Sequence, residues 1–207
     1  TQIGAVLVPL NYRLVASDHE YIINHSGVKA VLVDYEYTKV VDEIRPSLKS
    51  VQHWIVADPA PNPATPAGWT DWDQLVENMP TTSTPHIDQD ENETTSINYT
   101  SGTTARPKGV MLTHRNVCSH ALMAVAELGL SERDVWGHIA PMFHLADAWA
   151  CFALTQVGGA HAFLPRFEVG RALAALREER ITCTNLVPTM LNLMVKDQSA
   201  GARPFPD

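Results

Sequence analysis

The chain of 207 residues has no apolar run approaching the roughly 20 residues that a membrane-spanning helix needs; stretches such as residues 5–10 are far too short. Positive charge is in deficit. There are 15 Lys and Arg against 23 Asp and Glu, a net charge of −8, which argues against non-specific nucleic-acid binding, because that binding needs cations to displace counterions. Cysteine is scarce: Cys118, Cys151 and Cys183 are odd in number, widely spaced and without a Cys-x-x-Cys pair. That pattern suggests neither a disulfide framework nor a zinc site, and leaves buried free thiols in a reducing, cytoplasmic compartment as the expectation. No Gly-x-Gly-x-x-Gly and no Gly-x-x-x-x-Gly-Lys-Ser/Thr occurs, which removes the dinucleotide fold and the P-loop NTPases. No fixed-period repeat is visible. No signal peptide is visible either, so the Asn-x-Ser/Thr triplets at Asn24, Asn92 and Asn98 carry no expectation of glycosylation. An initiator Met is missing too: the chain opens at Thr1 and closes on Ala-Arg-Pro-Phe-Pro-Asp, and both ends read as cuts through something longer.

What is present is ordinary globular composition, 45% hydrophobic and 18% charged, in a length that can bury a core. Apolar and amphipathic segments alternate. Ser17-Asp18-His19-Glu20 has the form of a capping box and predicts a helix that stops at Gly27. Residues 30–33 read as a strand covered on both faces, since every one is apolar. A helix is expected over 37–48, weakened by Pro46, then a strand over 54–57. Residues 58–68 hold four prolines and predict a surface loop; a short helix follows at 72–77, and residues 81–93 predict an exposed acidic loop. A strand is expected at 96–100 and a loop over 101–109. Thr113 caps a long helix ended by Gly129, and a strand follows at 135–140. Next come a helix at 144–157, a strand at 160–164, a helix at 169–179, a strand at 181–186 and a last helix opened by Pro188. This alternation predicts an α/β fold with a largely parallel sheet.

The most informative stretch is Tyr99-Thr100-Ser101-Gly102-Thr103-Thr104-Ala105-Arg106-Pro107-Lys108-Gly109. Hydroxyl donors, two glycines that let the backbone turn sharply and approach a ligand, and one lysine follow a strand. Successive amides in such a turn form an anion nest, and Lys108 adds a mobile point charge for phosphate. Together these parts suit a triphosphate.

Residues 97–109 resemble the phosphate-binding signature of the adenylate-forming superfamily: acyl-CoA synthetases, luciferases and peptide-synthetase adenylation domains. The resemblance extends to Gly-Ala-Val-Leu-Val-Pro-Leu-Asn-Tyr-Arg-Leu (4–14), to residues 26–34, to Lys-Gly-Val-Met-Leu-Thr-His (108–114), to Pro-Met-Phe-His (141–144) and to Val-Pro-Thr-Met-Leu (187–191), nearly the whole chain. It implies that Thr100, Ser101, Gly102, Thr103, Thr104 and Lys108 hold the β- and γ-phosphates of ATP while a carboxylate attacks the α-phosphorus. It implies that His144 orients that carboxylate; taken alone, His144 reads as a helix-capping or core histidine. Ala146, Ala148, Ala150 and Met190 are candidate lining of an acid pocket, for which core packing is an equal explanation. His138, His144 and Asp147 lie near one another in sequence, but no repeated ligand spacing supports a metal, and none is expected.

Two departures matter. Ala105 stands where the family pattern has Gly or Ser; a Cβ at a positive φ costs about 1–2 kcal/mol. The family's later motifs, Tyr-Gly-x-Thr-Glu for adenine and Mg²⁺, Thr-Gly-Asp for the ribose, and the lysine-bearing C-terminal lid, are not in the chain. Residues 1–207 are therefore expected to be the central part of an AMP-binding domain. The implied substrates are ATP with Mg²⁺, a carboxylic acid and CoA, and the isolated chain is expected to be inactive or nearly so. Three alternatives stand beside this: a non-catalytic nucleotide- or phosphate-binding module, an adenylation domain for a non-CoA acceptor, and a generic α/β domain with an accidental loop.

Overall fold

A computed structural model of the chain describes residues 3–57, 64–77, 79–82, 87–100 and 106–197. The chain folds as two compact units, Thr1–Gln89 with Thr94–Met111, and Asp90–Glu93 with Leu112–Asp207.

In the first unit, helix α1 (Ala16–Ser26) buries Ile22 and Ile23 and stops where expected, at Gly27, whose φ of 67° is open to a residue without a Cβ. Its start differs from expectation. Val15 is the N-cap and no side chain caps the helix; the first turn begins two residues early and places Ser17 inside it. Strands β1 (Ala30–Asp34), β2 (His53–Ala57) and β3 (Thr70–Asp71) form a parallel sheet in the order β1-β2-β3, with Val31 opposite Trp54 and Ile55 opposite Thr70. Helices α2 (Thr38–Ile44) and α3 (Trp72–Glu77) belong to the same unit, and a 3₁₀ turn at Arg45–Ser47 absorbs Pro46. Ile23, Val31, Val41, Ile44, Leu48, Val56 and Trp69 make its core. Only one face of β1 is closed. Val31 is buried but Leu32 is 53% exposed, so the expectation of a strand covered on both sides is corrected. Strands β4 (Thr94–Thr100) and β5 (Lys108–Thr113) pair in a separate two-stranded sheet, and Leu7 forms a parallel bridge to Ser96. β5 begins at Lys108 and so takes up the last two residues of the expected loop, 108 and 109.

In the second unit, Thr113 caps helix α4 (His114–Leu128) in a reciprocal box with Asn116, and Gly129 (φ 64°) ends it. Strand β6 (Val135–His138) is central in a parallel sheet ordered β7-β6-β8, with β7 (Ala160–Phe163) and β8 (Cys183–Thr184) on either side. Helix α5 (Leu145–Val157) connects β6 to β7, and α6 (Val169–Glu178) connects β7 to β8 across β6. The two crossovers run in opposite directions, so right-handed connections put α5 and α6 on opposite faces. Two separate cores agree with this. Ala121, Leu130, Trp136, Ala150, Ala153 and Leu154 pack under α4 and α5, while Ile139, Ala172, Leu173 and Met194 pack between α6 and α7 (Pro188–Lys196). The α/β class with parallel strands is as expected. The cysteines are not: Cys118 is exposed on α4, and Cys151 and Cys183 are half-buried.

Candidate functional site

Of the phosphate-loop residues, Ser101, Gly102, Thr103, Thr104 and Ala105 lie outside the described residues. Its two flanks are described. Thr100 is the exposed last residue of β4, and Lys108 the exposed first residue of β5. Lys108 makes no ion pair among the described residues, so its ammonium is available to an anion. Aromatic contacts hold the base of the loop. Tyr99 Oη lies 2.7 Å from His25 Nδ1, the two rings meet edge-on at 5.9 Å, Tyr21 Oη donates to the Pro107 carbonyl at 3.4 Å, and the Arg106 guanidinium sits 5.2 Å from the Tyr21 ring. Gly109 serves by close approach rather than by turning. A Cβ there would lie 2.8 Å from Ile97 Cγ2 and 3.1 Å from Tyr99 Cζ, so β4 and β5 meet at this spacing only over a glycine.

The acid-pocket candidates all belong to the second unit. His144 is the exposed N-cap of α5; its own side chain makes no cap hydrogen bond, and its ring lies 4.4 Å from that of Phe143. Ala146 is exposed, Ala148 and Met190 are half-buried, and Ala150 is fully buried, which assigns Ala150 to core packing. Parallel strands place the loops after β6 and β8 at the same, carboxyl end of the sheet, where open α/β sheets bind ligands. Asn185 Nδ2 donates to the Ala146 carbonyl at 2.7 Å and Trp149 Nε1 donates to the same oxygen at 3.0 Å, tying the segment before α7 to the first turn of α5. A cleft of about 790 Å³ in the first unit is lined mainly by aliphatic residues such as Leu10, Ile23 and Val31, and none of the expected site residues among the described ones lines it.

Sequence reasoning missed a polar cluster beneath α5. Trp136 and His138 alternate on β6, and His161 and Phe163 lie beside them on β7, in register on one face. Asp147, Cys151 and Thr155 repeat at four-residue spacing on α5 and face them. Asp147 is fully buried; its Oδ2 accepts from His138 Nδ1 at 2.7 Å and its Oδ1 from Trp136 Nε1 at 3.1 Å. Burial opposes charge on His138, but hydrogen bonds and attraction from Asp147 and Cys151 outweigh it and push the pKa up to about 9. Both ring nitrogens then donate, so His138 Nε2 gives its hydrogen to His161 Nδ1 at 3.0 Å. Burial and the neighbouring His138 charge lower the His161 pKa, consistent with its accepting role. His161 Nε2 faces Thr155 Oγ1 at 3.3 Å, and that hydroxyl donates to the Cys151 carbonyl at 2.6 Å. The polar stripe on α5 was a visible signal, but only the strand order brings β6 and β7 under it.

A sequence profile described as AMP-binding enzyme matches residues 1–205. The chain is 32% identical over 195 residues to a long-chain-fatty-acid–CoA ligase of Mycobacterium tuberculosis, covering 93% of this chain and 36% of that protein. It is 35% identical over 192 residues to a long-chain-fatty-acid–CoA ligase of Thermus thermophilus, covering 90% and 34% respectively. Its fold superposes on the inhibitor-bound N-terminal domain of FACL13 from Mycobacterium tuberculosis with a TM-score of 0.81 and 29% identity, covering 96% of this chain and 48% of that one. The chain thus spans about a third of the length of the curated relatives it matches. Among the described residues no helix is long and apolar enough to cross a membrane. With the profile running over almost its full length, the chain belongs to the family of AMP-binding enzymes.

Proposed function

We propose that this chain supplies the phosphate loop and one wall of the acid pocket of an acyl-CoA synthetase. The reaction joins a carboxylic acid to ATP as an acyl-adenylate, releasing pyrophosphate; the CoA thiol then attacks the acyl carbon and AMP departs. Thr100, Ser101, Gly102, Thr103 and Thr104 present hydroxyls and amides to the β- and γ-phosphates, and Lys108 neutralises charge as pyrophosphate leaves. Mg²⁺ arrives with ATP as part of the substrate complex. His144 orients the attacking carboxylate at the carboxyl end of β6, and Ala146, Ala148 and Met190 line the acid's path. The observation that carries this reading is the exposed Lys108 side chain, which has no ion-pair partner among the described residues and follows a run of hydroxyl donors in the sequence. The similarity to proteins named long-chain-fatty-acid–CoA ligases supports CoA as the acceptor in this reading.

Acid-dependent ATP–pyrophosphate exchange by a full-length synthetase that carries this segment, measured over a panel of carboxylic acids, tests the proposal. Lys108→Ala is expected to lower exchange by orders of magnitude, and His144→Ala to raise the apparent KM for the acid more than that for ATP. A melting shift with ATP and no exchange would mark a binding module instead.

A further inference from the structure

The ligand-bearing atoms of His138, Cys151 and His161 all lie within 4.8 Å of one another beneath α5. We propose that these three side chains bind one borderline-soft transition-metal cation of the Zn²⁺ type, through His138 Nε2, His161 Nδ1 and Cys151 Sγ, with a fourth position open to water or a small ligand.

Three observations support the assignment. First, the spacing fits. Tetrahedral zinc with nitrogen and sulfur ligands sets N···N edges of roughly 3.3 Å and N···S edges of roughly 3.6 Å. His138 Nε2 stands 3.0 Å from His161 Nδ1 and 3.8 Å from Cys151 Sγ, each within a few tenths of an ångström of its tetrahedral edge, and all three ligand atoms lie within 4.8 Å of one another, so closing the remaining edge takes a side-chain adjustment on the order of 1 Å or less. Second, the outer groups that a metal-bound histidine needs are in place. Asp147 accepts from His138 Nδ1 at 2.7 Å and is itself held by Trp136 Nε1 at 3.1 Å, which fixes the ring and leaves Nε2 facing the thiol. Thr155 faces His161 Nε2 at 3.3 Å and turns that ring's Nδ1 the same way. Third, the ligands come from three rigid elements, β6, α5 and β7, and the Phe163 ring stacks on His138 at 4.7 Å as an apolar wall. Cys151 and His161 are half-buried, which leaves an approach for the ion.

Two histidine nitrogens and one thiolate exclude hard cations such as Mg²⁺ and Ca²⁺ and suit Zn²⁺, Co²⁺ or Cu⁺. Binding displaces the hydrogen between the two imidazoles and the thiol hydrogen to solvent. The bound ion ties α5 to both strands beneath it, so it raises the stability of the second unit. None of its ligands belongs to the proposed ATP or acid machinery, and the test involves neither substrate.

The experiment titrates chelator-treated chain with Co²⁺, followed by absorption, and with Zn²⁺ in competition with a chromogenic chelator. One equivalent of Co²⁺ is expected, with tetrahedral visible bands and a thiolate-to-cobalt charge-transfer band, and Zn²⁺ should bleach both. Cys151→Ser abolishes the charge-transfer band, His161→Gln weakens binding by more than tenfold, and Asp147→Asn weakens it by roughly 10–100-fold. Cys118→Ser, which alters an exposed thiol outside the cluster, leaves the spectrum unchanged. Circular dichroism shows whether each variant is folded, and the wild-type titration decides the matter even where a variant is not. Substoichiometric cobalt without a charge-transfer band in the wild type overturns the proposal, as does a folded Cys151→Ser that keeps the band.

Discussion

Asp147 Oδ2 lies 2.7 Å from His138 Nδ1, and both side chains are closed to solvent. Breaking such a pair from one side leaves a charge buried without its partner, which costs far more than the net contribution of the intact pair. In the metal-free chain, Asp147→Ala is therefore expected to lower the unfolding free energy by about 3–5 kcal/mol, the Trp136 indole N–H being orphaned as well. Urea unfolding of the two proteins checks it. A loss below about 1 kcal/mol would mean that the pair is not closed off as described.

Asp134 makes the second unit sensitive to acid. Its carboxylate accepts from the Ser131 amide at 2.8 Å and from the Thr182 hydroxyl at 2.9 Å, and these bonds, the Ser131 amide foremost, hold its pKa below the ordinary 3.8. A depressed carboxyl pKa adds stability above the unfolded-state value and loses it as pH falls through the folded-state value. Asp134→Asn is thus expected to lower the urea midpoint at pH 7, with the difference from wild type shrinking as pH drops below 3.8. A difference that stays constant with pH would contradict this.

Gly109→Ala tests the base of the phosphate loop. The added methyl would meet Ile97 and Tyr99 inside contact distance, and overpacking of this kind costs about 1–3 kcal/mol. Because Tyr99 also holds His25, pyrophosphate affinity should fall together with stability. Unchanged melting and affinity would show that β4 and β5 can separate to admit the methyl.

Ala105→Gly addresses the departure from the family pattern. If the loop needs a positive φ there, removing the Cβ relieves about 1–2 kcal/mol, and ATP binds correspondingly tighter. Equal affinities in paired titrations would remove the idea.

Local signals were legible where one residue decides the outcome. Gly27 and Gly129 end helices because a left-handed residue without a Cβ closes them cheaply, and Thr113 caps α4 because Asn116 three residues on can reach back. The Ser17 box failed because the helix starts two residues earlier than its caps suggested. Both-face burial of β1 failed for a different reason: an apolar run records what a strand can bury, and the exposed Leu32 shows what it does not. The resemblance around residues 97–109 and 141–144 led to the family. His138 and Asp147 were visible as sequence neighbours, but their grouping with Cys151 and His161 was not legible, because the four are 9, 4 and 10 residues apart on three elements and only the β7-β6-β8 order brings them together.

The account rests on a cradle for pyrophosphoryl oxygens between Thr100 and Lys108, and calorimetric titration of the chain with pyrophosphate reaches it most directly. Saturable binding is expected, weakened at least about tenfold by Lys108→Ala, since a charge-assisted contact contributes about 1.5–3 kcal/mol, and left unchanged by Lys196→Ala on the last helix. No binding by the wild type, or equal affinity with and without the Lys108 ammonium, would contradict it.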